Sequence, residues 1–190
     1  MIRTAAFVAV VCSACWTSPT SVPAPGRWTY RLYGSAVEPD NESVDTYLLD
    51  EAAGTMTRTS RLRRGRDPVS WTDATTDRWT LTITRDPALH LMLASEAGRN
   101  RYACATRTLD VAPWTAVRKD GHWSEPTRPL VVQVCTETGK GTTGPSRLFL
   151  APEPIELLQA DRTCCDQTPV VRFIPADGRV MPPRDPTFQW

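Results

Sequence analysis

The chain has 190 residues, of which 41% are hydrophobic, and a formal net charge of +1 at pH 7. A chain of this length can bury a hydrophobic core without metals or many cross-links. Its near-zero charge gives no reason to expect nucleic acid or another strongly charged partner. The six cysteines and 17 prolines are the parts of the composition that carry further information.

The first fifteen residues have the pattern of an export signal. Arg3 and the amino terminus supply positive charge, residues 5–11 are uniformly apolar, and small residues follow. The apolar run is much shorter than the ~20 residues needed to span a bilayer. We therefore predict a signal peptide over residues 1–15 rather than a transmembrane helix.

The end of this segment, Cys12-Ser13-Ala14-Cys15, resembles the lipobox of bacterial lipoproteins. Ser13 and Ala14 occupy its two small positions, whereas Cys12 replaces the usual aliphatic residue. The resemblance implies that Cys15 is lipidated and anchors an extracytoplasmic chain to a membrane. Secretion after cleavage without lipid is the alternative.

Two other families share features of the same stretch. Its C-x-x-C pair is typical of thiol oxidoreductases, but only eleven residues precede Cys12, too few for the leading strands of such a fold. It is also similar to the active-site signature of papain-like proteases, but Ser13 replaces the glycine of that signature. The export signal is the preferred interpretation.

After the signal, residues 16–26 are rich in Ser, Thr and Pro, which predicts a semi-rigid tether. Residues 27–190 are predicted to form a single β-rich domain. Apolar and polar residues alternate over 27–33 and over 77–86, which is the pattern of half-buried strands. A hairpin is predicted around residues 50–54.

Further short apolar strands are predicted at 129–136, 146–152 and 169–175, and the best helix candidate is 153–161. Many short strands separated by turns, with little helix, indicate a mostly β fold. We expect a single antiparallel β-sandwich or barrel with at most one short helix and an irregular C-terminal segment.

Four cysteines remain if Cys12 leaves with the signal and Cys15 carries lipid, and an even number in an extracytoplasmic chain predicts two disulfides. The four are Cys104, Cys135, Cys164 and Cys165. A bond between the adjacent last two would close a strained eight-membered ring. We therefore expect Cys104 and Cys135 each to pair with one of them. No metal site is predicted, because no C-x-x-C pair or nearby histidine accompanies these four.

An arginine-rich segment at residues 58–67 lies at the end of the predicted hairpin. It could contact an anionic membrane surface, since guanidinium groups bind phosphates well. Its arginines are Arg58, Arg61, Arg63, Arg64 and Arg66. A solvated hairpin end is the alternative. Residues 138–144 are glycine-rich but lack the first glycine and the hydroxyl residue of a phosphate-binding loop. A hairpin loop is therefore expected there, with no cofactor.

The long loop at residues 112–129 is the preferred binding site, because loops on β scaffolds commonly carry binding residues and indole rings suit sugars or protein partners. Its candidate residues are Trp114, Lys119, Asp120, His122 and Trp123. The alternative is that both tryptophans fold back as a small satellite cluster. No residue is assigned a catalytic role.

These patterns together predict a surface-tethered accessory protein of a bacterial envelope with a non-catalytic binding role toward a carbohydrate or a protein. The expected partners are the membrane, through lipid at Cys15, and an envelope polymer or protein. One alternative is a hydrolase of an envelope polymer that uses Asp120 and His122 as an acid-base pair. Another is a structural or inhibitory partner of a second envelope protein.

Overall fold

The computed structural model describes the chain in seven stretches, and these contain twelve β-strands and no helix, hence none long and apolar enough to cross a membrane. The described residues are 25–35, 41–64, 72–116, 118–119, 122–139, 144–159 and 170–175. The strands are β1 (Arg27–Ser35), β2 (Asn41–Asp50), β3 (Thr55–Arg64), β4 (Thr75–Thr84), β5 (His90–Ser95), β6 (Gly98–Ala112), β7 (Arg118–Lys119), β8 (His122–Trp123), β9 (Arg128–Glu137), β10 (Arg147–Leu150), β11 (Ile155–Gln159) and β12 (Val170–Phe173). The predicted signal, Cys15, almost all of the tether and the C-terminal residues 176–190 lie outside these stretches.

Ten of the strands form one mixed sheet in the order β10-β9-β6-β12-β11-β1-β2-β3-β4-β5, and β5 also pairs with β6. Strands β1 to β6 follow one another as antiparallel neighbours, as the turn-punctuated sequence predicts. Strands β11 and β12 enter between β1 and β6, and the β1–β11 and β12–β6 pairings are parallel. The mostly β prediction is confirmed, whereas the prediction of a wholly antiparallel sheet is wrong. The prediction failed because alternation within one strand does not determine whether a partner strand distant in the chain runs parallel or antiparallel to it.

The period-two pattern of β4 shows how local sequence produces these strands. Trp79 and Leu81 are buried and Ile83 is half-buried, while the threonines between them are exposed. The predicted hairpin between β2 and β3 is also present, and it turns at Gly54, whose φ of 61° lies in the left-handed region that favours glycine. Alternating burial and a glycine turn thus suffice to specify this part of the sheet.

The predicted helix at residues 153–161 is wrong, because residues 155–159 form the strand β11. Each of its first four residues, Ile155, Glu156, Leu157 and Leu158, is buried. Strand β11 lies between β1 and β12 and is covered on both faces, so it has no exposed side to give a polar alternation. Because that alternation is absent, the spacing of its apolar residues also fits the apolar face of an amphipathic helix.

The hydrophobic core lies on the face of the sheet that carries Tyr30, which we call the core face. The Tyr30 ring stacks on Tyr47 at 4.7 Å between centroids and meets Phe149 edge-on at 5.4 Å. Phe149 lies on β10, so the core joins the first strand of the sheet to one from its C-terminal third. The opposite side of β1 and of its neighbours is called the outer face below.

One disulfide joins Cys104 on β6 to Cys135 on β9, with an S–S distance of 2.06 Å. The prediction that each of these cysteines pairs with a member of Cys164-Cys165 is therefore wrong. The reason is register: Cys104 and Cys135 stand directly opposite each other in the β6–β9 ladder, where Cβ atoms are within about 5.5 Å. Cys164 and Cys165 lie outside the described residues.

Candidate functional site

The loop predicted as the binding site joins β6 to β9, and one of its tryptophans lies against the outer face of the sheet. Trp123, on the short β7–β8 ribbon within the loop, packs against a satellite cluster formed by Tyr33, Val44 and Leu158. Tyr33 is three residues from Tyr30, so strand alternation directs it away from the core face. Trp123 therefore folds back onto the sheet, as the satellite-cluster alternative expects.

A row of three charged residues lies on the same outer face. Arg31, Glu156 and Arg172 stand opposite one another on β1, β11 and β12, and we call them the charged row. They are 8%, 0% and 5% exposed. The Arg172 guanidinium donates to Glu156 Oε1 from Nε at 2.7 Å and from its terminal nitrogen at 2.6 Å. A hydrogen-bonded ion pair between Glu156 and Arg172 thus lies in the interior. Arg31 is buried beside it, although the alternation of β1 predicts that Arg31 is exposed at the surface.

The electrostatics of this row are dominated by burial. Removal from water raises the pKa of Glu156, while the charges of Arg172 and Arg31 act in the opposite direction. Glu156 Oε2 has no hydrogen-bond partner among the described residues. Buried charges are retained in proteins when they are paired, and a row of this kind fixes the relative positions of the three strands that carry it.

Trp114 connects the charged row to the loop. The Arg172 guanidinium lies 4.3 Å from the centroid of the Trp114 ring, a distance at which the cation is attracted by the aromatic face. The ring is half-buried, and its Nε1 has no hydrogen-bond partner in the described part of the chain. After Trp114, the Ala116 N–H donates to the Pro113 carbonyl at 3.1 Å, and Ala116 is buried. The beginning of the loop is thereby held against the sheet.

Only some of the predicted loop residues can be placed. His122 is exposed and precedes the half-buried Trp123 on β8, where it stands opposite Lys119 of β7. The side chain of Lys119 and the whole of Asp120 lie outside the described residues. The part of the loop that can be placed is therefore its two tryptophans with His122 beside one of them.

The two arginines of the predicted group whose side chains can be placed lie on opposite faces of β3. Arg58 points to the core face, where its Nε donates to Asp77 Oδ2 at 2.9 Å and its guanidinium carbon lies 5.8 Å from the centroid of Trp79. Arg61, three residues along the strand, is exposed on the opposite face. The side chains of Arg63 and Arg64 and all of Arg66 lie outside the description. Of the two that can be placed, only Arg61 is open to an external surface.

Sequence reasoning missed the charged row, although a signal for it exists. Glu156 and Arg172 each interrupt a short apolar run, and a charge within such a run indicates a buried, paired group. The two runs are separated in the chain, so only their pairing in the sheet shows that the charges meet.

Among the described residues, no group of three or more His, Cys, Asp or Glu side chains is placed to hold a metal ion. Comparison with known proteins finds no matching family model, no matching curated protein and no matching solved structure.

Proposed function

We propose that the chain is an accessory protein of a bacterial envelope that binds a carbohydrate or protein ligand through residues 112–129 and catalyses no reaction. One observation carries this proposal: the loop is attached to buried groups near both of its ends, yet its indole rings are only half-buried. Trp114 is held by Arg172 and Trp123 by the satellite cluster. Such a loop presents aromatic surface in a fixed arrangement.

Two tryptophans held in this way favour binding because they lose little conformational entropy when a ligand arrives. Half-buried indole rings suit the apolar faces of sugar rings and the side chains of protein partners. His122, which is exposed and precedes Trp123 on β8, adds a hydrogen-bonding group to the same loop. We favour a carbohydrate polymer of the envelope as the ligand.

We also propose that the chain is exported and anchored by lipid at Cys15, with secretion without lipid as the alternative. The disulfide between Cys104 and Cys135 supports export, because disulfides persist in oxidising compartments outside the cytoplasm. The mass of the intact protein extracted from membranes tests this directly. Cleavage before Cys15 with added acyl mass is expected, and a full chain from Met1 with free thiols would contradict export.

For the fold, we propose a sandwich-like closure of the sheet around the core. Strands β5 and β12 both pair with β6. The strands β12-β11-β1-β2-β3-β4-β5 therefore begin and end next to the same strand. Tyr30 of β1 also reaches across to β10, where its hydroxyl donates to the Arg147 carbonyl at 3.5 Å. These contacts support two packed layers.

Co-sedimentation with purified cell-wall sacculi tests the binding function. Replacing His122 by Ala removes an exposed group of the loop, whereas His90→Ala removes an exposed histidine on β5 as the matched control. We expect His122→Ala and Trp123→Phe to weaken sedimentation by about five-fold or more, within the usual effect of losing a contact at an interface. His90→Ala should sediment like wild type.

Thermal unfolding separates binding from folding in the same experiment. The two histidine variants should unfold at the wild-type temperature, because both side chains are exposed. Wild-type sedimentation by His122→Ala and Trp123→Phe together would show that the loop does not bind this polymer, and the binding proposal would be wrong for it.

A further inference from the structure

A groove of about 650 Å³ opens next to the end of β5, where β5 separates from β4. Strands β4 and β5 pair from Thr84 opposite His90 to Thr80 opposite Ala94, and no further. Strand β4 nevertheless continues along β3 as far as Thr75. The chain leaves β5 through a turn at 96–97 and enters β6, so the gap between the two strands widens into the groove.

Within this gap, β4 has an edge without a strand partner in the described part of the chain. The Leu81 N–H donates to the Gly54 carbonyl at 2.8 Å, so the odd-numbered residues of β4 direct their backbone groups toward β3. The backbone N–H and C=O of neighbouring residues point to opposite edges of an antiparallel strand. Those of Arg78 therefore point into the groove, where a further strand would pair. A free edge of this kind accepts extended peptides.

The walls of the groove carry one charge of each sign. Arg78 lies on β4 and Glu96 lies in the turn after β5; both are exposed, and neither forms an ion pair with another described residue. Two other arginines near the groove form ion pairs, Arg85 with Glu51 and Arg58 with Asp77. Two unpaired and opposite charges facing one groove match a ligand that itself carries both charges.

The rest of the lining suits a short peptide. Thr55 and Thr80 supply hydroxyl groups, and Ala94 supplies apolar surface. The volume lies within the range of about 300–1,000 Å³ that is usual for small-ligand sites. Arginine binds carboxylates through two parallel hydrogen bonds, and a glutamate binds ammonium groups.

We propose that this groove binds a zwitterionic peptide of two or three residues, extended along the free edge of β4. The peptide backbone pairs with the N–H and C=O of Arg78, its carboxylate meets the Arg78 guanidinium, and its ammonium group meets Glu96. A ligand with charges of one sign alone would be repelled by one wall. This site is separate from residues 112–129 and does not depend on the function proposed for them.

Calorimetry of the full chain with L-alanyl-L-alanine and tri-L-alanine tests the proposal. We expect binding of both peptides. Acetylation of the amino group or amidation of the carboxylate should each weaken binding by about ten-fold or more, as for the loss of a charge-assisted hydrogen bond. Arg78→Gln and Glu96→Gln should have effects of the same size. Arg107→Gln, which changes an exposed arginine on β6 outside the groove, should have none.

Amide hydrogen exchange provides a second readout at the backbone. Bound peptide should slow exchange of the Arg78 N–H, whereas His122→Ala should leave both binding and protection unchanged. Because Arg78 and Glu96 are exposed, their variants should unfold at the wild-type temperature, so lost binding cannot be ascribed to misfolding. The proposal is wrong if neither peptide binds at millimolar concentration. It is also wrong if the doubly blocked dipeptide binds as tightly as the free one.

Discussion

Replacing Glu156 by Gln removes the carboxylate from the charged row and leaves Arg31 and Arg172 buried beside a neutral amide. Glu156 is fully buried and accepts two hydrogen bonds from Arg172, at 2.7 and 2.6 Å. Removing one partner of a buried ion pair typically costs about 3–5 kcal/mol, because the remaining charge is left uncompensated away from water. We expect the free energy of unfolding to fall by roughly 3 kcal/mol, at the low end of that range, because the amide oxygen can still accept one hydrogen bond.

Thermal and urea unfolding measure this loss. For a chain of this size, about 3 kcal/mol corresponds to roughly 6–12 °C in Tm. Glu153→Gln is the matched control: Glu153 also pairs with an arginine, Arg128, at 2.6 Å, but their side chains are 48% and 51% exposed. An exposed pair contributes about 0–1 kcal/mol. Equal and small losses in the two variants would refute the reasoning, since the buried pair would then matter no more than a surface pair.

A double variant separates lost charge from lost packing. Replacing both Glu156 and Arg172 by Met removes the ion pair while keeping comparable side-chain volume. Exchanging a buried pair for packed apolar residues is often neutral or stabilising, so this variant should be more stable than Glu156→Gln. A double variant that is less stable would assign the loss to packing instead.

Two further predictions concern the loop after β9 and the turn after β2. Gly144→Ala would place a Cβ 2.5 Å from a tyrosine hydroxyl and should lower stability by about 1–3 kcal/mol in urea unfolding. Gly139→Ala, with no atom within 4 Å, should stay within about 0.5 kcal/mol of wild type, and a similar loss in both would contradict the packing argument. Hydrogen bonds from Arg85 lower the pKa of Glu51, so its stabilising effect is full above the ordinary carboxyl pKa of about 4.3 and is lost as pH falls through the lower folded value. Unfolding of wild type and Glu51→Gln should therefore differ at pH 7 and converge once the pH falls below the folded-state pKa of Glu51, and a difference that stays constant with pH would contradict this assignment.

The candidate sites differ in whether a local stretch of sequence is enough to predict them. The tryptophan loop can be found from sequence, because a long proline-bounded segment with two indoles is a local pattern. The charged row and the β4 edge cannot, because each arises where segments far apart in the chain meet or separate. Arg31 illustrates the difference: the alternation in its strand predicts an exposed face, yet Arg31 is buried opposite Glu156 of β11.

The sequence alone determines the strands that have one buried and one exposed face, because alternation and turn residues act between near neighbours in the chain. The strand from Thr75 to Thr84 and the hairpin turning at Gly54 are of this kind. Tertiary structure decides the parallel insertion of Ile155–Gln159 and the bond between Cys104 and Cys135. Both depend on register and on coverage by distant segments, and neither of these is encoded in the local periodicity of a single strand.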